Sequence, residues 1–163
     1  MYEIVEPKNR ISKDAIKVWR ITSVFTFFIL MIIVTGGLGA AYYFEWPKWV
    51  KIILRIIFVV VPLYSIWSVF IRPRLLYKYW RYGIDEQYVR LKHGIFVRSD
   101  AVVPMTKIQF VEANQGPIMR KYNLYSLQIG TLGSSHDIPA LPKDEAFALR
   151  DQISELAKLK EVE

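Results

Sequence analysis

Few side chains in this sequence could perform catalysis. The chain has two histidines, His93 and His136, and no cysteine. The run Ser134-Ser135-His136-Asp137 contains the residue types of a hydrolase triad, but residues adjacent in sequence rarely point at one reaction centre. The sequence has neither a glycine-rich phosphate loop nor a paired-histidine metal spacing. We therefore interpret both histidines as solvated turn residues and expect neither enzymatic activity nor a cofactor.

Basic side chains are the more informative polar groups. Residues 78–121 contain eight Lys and Arg against four Asp and Glu, whereas residues 122–163 contain four against seven. Each Lys or Arg near an anionic membrane surface contributes about 1 kcal/mol to binding. The basic residues of region 78–121 are candidate contacts for a lipid headgroup or a partner if they share one face of the domain. If they do not, they are scattered solvated charges. The candidates are Arg98, Lys107, Arg120 and Lys121.

Two long apolar runs precede these residues. The first, 21–44, has no charged side chain, and the second, 52–71, contains only Arg55. As helices they would extend about 36 and 30 Å, and a hydrocarbon core is about 30 Å thick. We predict a hairpin of two transmembrane helices joined by a short loop, 45–51. Two buried helices of a soluble protein would need more surrounding chain, and a signal peptide has a shorter apolar region.

The distribution of charge predicts how the hairpin is oriented. Residues 1–75 contain ten Lys and Arg against four Asp and Glu, so most of the net charge of +7 flanks the apolar runs and nucleic-acid binding is not expected. By the positive-inside rule, the basic tail 1–20 and the basic linker 72–78 are cytoplasmic and the loop is outside. The flanking basic residues are Lys17, Arg20, Arg72, Arg74, Lys78 and Arg81.

Small residues in the first run have the spacing of a helix-packing motif. Gly36 and Ala40, and likewise Gly37 and Ala41, are four residues apart. This spacing lets helix backbones approach closely in lipid. Packing within the hairpin and self-association into a homo-oligomer both explain the pattern.

The region 79–160 has the pattern of a small, mostly β domain. Val89 and Leu91 alternate with polar residues, and we expect a hairpin in which His93-Gly94 turns the chain into a strand over 95–98. Further strands are predicted at 108–113, 126–132 and 136–141. Pro142 then opens an amphipathic helix, whose apolar face is Ala146, Leu149, Ile153 and Leu156.

The order of these elements resembles the bacterial pleckstrin-homology-like family, in its membrane-anchored YdbS-type branch. Two departures are mild: Lys107 stands where the family usually has Arg, and Asn123 replaces a glycine, although Asn tolerates the left-handed conformation. The residues that carry the resemblance are Gly94-Ile95-Phe96, Val103-Pro104, Lys107-Ile108-Gln109, Gln115-Gly116-Pro117-Ile118-Met119-Arg120, Leu124, Leu127-Gln128-Ile129-Gly130-Thr131 and Ile138-Pro139-Ala140-Leu141.

The apolar runs and the flanking charges predict a two-helix transmembrane hairpin, in a two-pass protein of the bacterial cell membrane with both termini in the cytoplasm, and this hairpin fits the branch. The resemblance itself implies that a PH-like barrel of about seven strands, capped by the C-terminal helix, follows the hairpin. It implies no known activity, since one fold serves many binding roles. We expect a non-catalytic scaffold that binds a membrane protein or a PH-like paralogue. The alternative is recognition of anionic membrane lipids by a basic face, and convergence of the basic residues on one pocket would favour it.

Overall fold

The computed structural model describes Pro7, residues 9–95 and residues 97–162. These residues form two compact units: Trp19–Arg74 is one, and the described residues on either side of it form the other. Residues 1–6, Lys8, Phe96 and Glu163 lie outside the described residues. Part of the predicted N-terminal tail and the centre of the motif Gly94-Ile95-Phe96 are among them.

Two long helices contain the apolar runs. Helix α1 is Ala15–Tyr43, and α2 is Lys48–Ile66; α2 continues through a π-helical turn, Trp67–Ile71, into α3, Arg72–Tyr79. Only 11% and 6% of the two apolar stretches are buried within the fold. The core helices of a soluble protein would be mostly buried. Both helices are therefore long, apolar and exposed enough to cross a membrane.

Small residues bring the two long helices together. A Cβ atom built on Gly37 would lie 3.7 Å from Cδ2 of Leu54 in α2. Ala41 is fully buried and Ala40 is half-buried. A Cβ atom on Gly36, in contrast, would meet none of the described residues within 4 Å. Gly37 and Ala41 thus pack inside the hairpin, whereas Gly36 faces away from α2.

Polar side chains also join the two helices. Ser68, in the π-helical turn, donates a hydrogen bond of 3.2 Å to Oγ of Ser23. Arg55 donates to the hydroxyl of Tyr42, and its guanidinium lies 5.7 Å from the centre of that ring. The single charge of the second apolar run therefore has a polar partner on α1, which lowers the cost of its position.

The second unit has six strands in its described residues, arranged as two antiparallel sheets with the orders β1-β2-β3 and β4-β5-β6. The predicted barrel of about seven strands is therefore wrong: the barrel is not closed. Between β3 and β4 the chain makes only a 3-10 turn, Met105–Lys107, and these two strands do not pair. The strands are β1 (Arg81–Ile84), β2 (Tyr88–His93), β3 (Ser99–Pro104), β4 (Ile108–Asn114), β5 (Leu124–Thr131) and β6 (Ser135–Pro142).

The predicted hairpin around His93-Gly94 is only partly correct. Val89 and Leu91 are buried, as their alternation predicts. The described residues Ile95, Val97 and Arg98, however, are not in a strand, and the partner of β2 is β3, with His93 opposite Ser99. Gly94 has a φ of +118°, which turns the backbone out of the extended conformation that a continuing strand would need.

The other predicted elements of this unit are confirmed near their expected positions. Strands β4, β5 and β6 overlap the three predicted segments. Asn123 has a φ of +52°, which is the left-handed conformation that its place in the family pattern requires. It follows a short helix, α4 (Pro117–Lys121). The C-terminal helix α5 (Lys143–Val162) contacts β4, β5 and β6, with Ala146 and Ile153 fully buried.

A segment before the first long helix also belongs to this unit. We call residues 9–12 the strap. Asn9 exchanges two backbone hydrogen bonds, of 3.2 and 3.1 Å, with Tyr82 in β1. The backbone N–H of Ser12 donates to the carbonyl oxygen of Ala140 in β6, at 3.1 Å, and Ile11 between them is buried. The strap therefore joins the two sheets at edges that no strand of the described residues covers.

Tyr82 provides a test of this core. Its side chain is fully buried and its hydroxyl donates to the carboxylate of Glu145 in α5. Burial is the largest of the effects that raise the pKa of Tyr82 above its ordinary value, and this hydrogen bond is the next. The folded state therefore holds the phenol proton more tightly than the unfolded state. The free energy of unfolding consequently falls as the pH rises above about 10.

We expect Tyr82→Phe to lower the free energy of unfolding by about 1–3 kcal/mol at neutral pH, because a buried hydrogen bond is lost. The difference from the wild type should shrink above about pH 10, where unfolded tyrosine ionises. Denaturant unfolding of the full chain in detergent micelles, followed by tryptophan fluorescence, measures both effects. Tyr88→Phe, at an exposed tyrosine of β2, is the control; an equal loss of stability in both variants would contradict the role of Tyr82.

Candidate anion-binding site

The candidate site lies at one end of the first sheet, and strand pairing creates it. In the antiparallel pair β1 and β2, Arg81 is opposite Lys92. The first residues of β1 and the last residues of β2 therefore lie together, although they are about ten positions apart in sequence. The loop 94–98, which leads from β2 to β3, leaves from the same end. This is also the end at which the chain enters the sheet from α3.

A basic pocket opens at this end, with a cavity of about 250 Å³. Three of the residues around it carry a permanent positive charge, and none of the described residues that line it is acidic. Asp100 is the cross-strand neighbour of Lys92 but does not line the cavity. Such a concave cationic surface suits an anion of the size of a phosphate group. The lining residues are Pro7, Tyr79, Arg81, Lys92, His93, Gly94 and Arg98.

Neighbouring groups hold two of these side chains in place. Arg81 donates from Nη1 to the backbone carbonyl oxygen of Trp80, at 2.7 Å. The ring of Trp80 is buried and stacks on the ring of His93, with centroids 4.9 Å apart and planes inclined by 15°. Nδ1 of His93 is buried and has no hydrogen-bond partner among the described residues. Because water does not reach this nitrogen, it is not a contact for a ligand in this structure.

Gly94 sets the path of the loop that carries Arg98. A Cβ atom at Gly94 would lie 1.9 Å from the carbonyl oxygen of Val97, a distance that no side chain can occupy. Together with the positive φ, this close approach means that only glycine fits the observed turn. The turn brings Arg98, which is exposed, to the rim of the pocket.

The structure distributes the four predicted contact residues over three connections. Arg98 lines the basic pocket. Lys107 ends the 3-10 turn and lines a different cavity, together with Leu132 and Ala157. Arg120 and Lys121 are exposed neighbours at the end of α4.

The residues that flank the apolar runs are also spread along the chain. Lys17 and Arg20 lie in the first two turns of α1, and Lys17 forms an ion pair of 2.8 Å with Asp14. Arg72, Arg74 and Lys78 are in α3. Arg81 alone among these six lines the basic pocket.

Sequence reasoning missed three members of the pocket. Arg81 was assigned to the membrane flank, Lys92 was not selected, and His93 was interpreted as a solvated turn residue. The signal that could have found them is the hairpin itself. Once β1 and β2 are paired, the basic residues that start one strand and end the other must meet.

Only Ser134 of the run Ser134-Ser135-His136-Asp137 lies in the turn between β5 and β6. The other three residues begin β6, with His136 opposite Ile129, so the prediction that His136 is a turn residue is wrong. Oγ of Ser134 lies 3.2 Å from Nε2 of His136 and 3.0 Å from Oγ1 of Thr131. The backbone N–H of Thr131 donates to the carbonyl oxygen of Ser134 at 2.8 Å. These polar atoms close a tight turn.

Comparison with known proteins agrees with this architecture. The family model described as "Bacterial PH domain" matches residues 21–157, which include both apolar runs. The chain belongs to the bacterial PH domain family. It is also 41% identical, over 154 residues, to a protein of Bacillus subtilis (strain 168) named "UPF0699 transmembrane protein YdbS". The matched region covers 94% of this chain and 95% of the relative. No solved structure matches the chain significantly.

The name of the relative and the two exposed apolar helices indicate that this PH-domain protein is a membrane protein. The family assignment also fits the two three-stranded sheets with a C-terminal helix. The relative's name states no ligand, so the pocket itself has to indicate what is bound.

Gly94→Ala tests whether the loop shapes the pocket. We expect it to cost about 1–3 kcal/mol of stability through backbone strain, and to weaken anion binding because the loop has to move away from its present path. Binding of inorganic phosphate to the full chain in detergent, measured by isothermal titration calorimetry, reports the second effect.

The matched control is Gly133→Ala, in the turn between β5 and β6, where an added Cβ would meet none of the described residues. If Gly94→Ala binds phosphate as well as this control does, the loop does not shape the pocket.

Proposed function

We propose that this protein is a membrane-anchored, non-catalytic PH-like module that binds anionic lipid headgroups at the inner face of the bacterial cell membrane. The observation that supports it is the convergence of Arg81, Lys92, His93 and Arg98 on one pocket without an acidic lining residue. Scattered solvated charges would not converge in this way. This arrangement favours the lipid alternative over the protein-binding expectation.

The chemistry of the pocket matches a lipid phosphate. Guanidinium groups present paired N–H donors that fit two phosphate oxygens, and Lys92 adds a point charge. With about 1 kcal/mol for each basic residue near an anionic surface, the three permanent charges contribute roughly 3 kcal/mol. This is a weak interaction in free solution. It is sufficient for a domain whose covalent membrane anchor keeps its local lipid concentration high.

The position of the pocket along the chain supports the same proposal. Helix α3 ends at Tyr79, which lines the pocket, and Arg81 follows two residues later. The basic flanks of both apolar runs favour a two-pass arrangement with both termini in the cytoplasm. The pocket would then lie close in sequence to the point where the chain leaves the anionic inner leaflet.

A membrane protein partner is the second candidate function. Strands β3 and β4 each have only one strand neighbour in the described part of the chain. Val102 in β3 and Phe110 in β4 are 51% and 45% exposed. An open edge with apolar side chains suits strand addition by another protein, by a PH-like paralogue or by a second copy of this chain.

Lipid retention by the purified full chain tests the first candidate. The protein in detergent is mixed with phosphatidylglycerol or phosphatidylcholine, and native mass spectrometry measures the bound lipid. Because 1 kcal/mol is a factor of roughly five in affinity, we expect Arg98→Gln to retain about fivefold less phosphatidylglycerol than the wild type. Phosphatidylcholine retention should not change.

Arg120→Gln is the matched control, since it removes the same charge from an exposed position outside the pocket. It should retain phosphatidylglycerol as the wild type does. Equal losses in the two variants would indicate a general charge effect, and an unchanged Arg98→Gln would contradict the proposed function.

The orientation can be tested separately because the chain has no cysteine. We expect a membrane-impermeant maleimide to label Lys48→Cys in intact bacterial cells, because Lys48 begins α2 beside the connection that the proposed orientation places outside. Ser134→Cys should be labelled only after the membrane is permeabilised. Labelling of Ser134→Cys in intact cells would reverse the orientation.

A further inference from the structure

One apolar side chain beside the basic pocket is almost fully exposed. Val97, in the loop 94–98, is 84% exposed, while its neighbour Arg98 lines the pocket. Exposing a large aliphatic side chain to water at a loop tip is unfavourable, and nothing in the described fold covers it. Among described residues outside the two long helices, only Leu132, at 85%, is a similarly exposed large apolar residue.

The backbone determines the end of the sheet at which Val97 lies. His93 pairs with Ser99, so the described residues between them, Gly94, Ile95, Val97 and Arg98, lie beyond the last pair of the sheet. The chain enters that same end from α3, through Tyr79. The close approach of the Val97 carbonyl oxygen to Gly94 keeps the loop tightly turned. An apolar tip and a cationic pocket are thereby presented side by side.

We propose that Val97 inserts into the interfacial region of an anionic bilayer while the adjacent pocket holds a lipid headgroup. This inference rests on the proposed function and adds that the ligand is bound as part of a membrane and not as a free anion. The surface of an anionic bilayer provides negatively charged headgroups for Arg98 and, a few ångströms deeper, apolar acyl chains for Val97. A soluble phosphate compound would satisfy only the pocket.

Fluorescence depth measurement on the full chain tests the insertion. Val97→Cys and Leu132→Cys are each labelled with an environment-sensitive probe and reconstituted into nanodiscs of phosphatidylcholine and phosphatidylglycerol. Some of the lipids carry a spin label near the top of the acyl chain, and iodide in solution serves as the opposing quencher. Leu132→Cys is the matched control, because Leu132 is as exposed as Val97 but lies outside the basic pocket, beside Lys107.

We expect the spin-labelled lipid to quench the probe at position 97 several-fold more than the probe at 132, and iodide to show the reverse order. Replacing phosphatidylglycerol by phosphatidylcholine should reduce the difference. Equal lipid quenching at both positions, or stronger iodide quenching at 97, would overturn the insertion.

Failure of insertion can be separated from failure of the proposed function. If lipid quenching at 97 is absent but Arg98→Gln still lowers phosphatidylglycerol retention, the pocket binds headgroups without an inserted loop. If retention is unaffected by Arg98→Gln, the headgroup proposal itself is wrong.

Discussion

The pairing of β1 with β2 is the interaction on which the candidate site depends. By placing Arg81 opposite Lys92, it brings together the start of one strand and the end of the next, and with them His93 and the loop that follows. The same pairing buries Tyr82, Val89 and Leu91, which are fully or almost fully inaccessible to water. The charges of the pocket are therefore held by a register that the core enforces, because a slip by one residue would expose this apolar face. The stability of the sheet and the arrangement of the candidate site therefore depend on the same register.

Hydrophobic patterning predicted much of this structure. The length of the apolar runs indicated the two helices, and alternation placed β2, β4, β5 and β6 close to their observed bounds. The failures concern pairing. Alternation gives the position of a strand but not its neighbour. It therefore predicted neither the absence of pairing between β3 and β4 nor the loop after Gly94.

The candidate site was harder to predict for the same reason. Arg98, Lys107, Arg120 and Lys121 have the same chemistry and lie in one basic stretch of sequence, yet only Arg98 reaches the pocket. Two other members of the pocket had been given different roles: Arg81 was interpreted as a residue that flanks the membrane, and His93 as a turn residue. Convergence depends on three-dimensional pairing, and a composition count cannot detect it.

The strap has a consequence for the order in which the molecule is made. Ser12 leaves the ribosome long before Ala140, the residue to which it donates its hydrogen bond. Both membrane helices are synthesised between them. The N-terminal segment must therefore wait, unpaired, through insertion of the hairpin, and its hydrogen bond to Ala140 forms only after β6 has emerged. A chain that lacks residues 9–12 would lose the part of its domain that is synthesised first but completes its contacts only after the last strand.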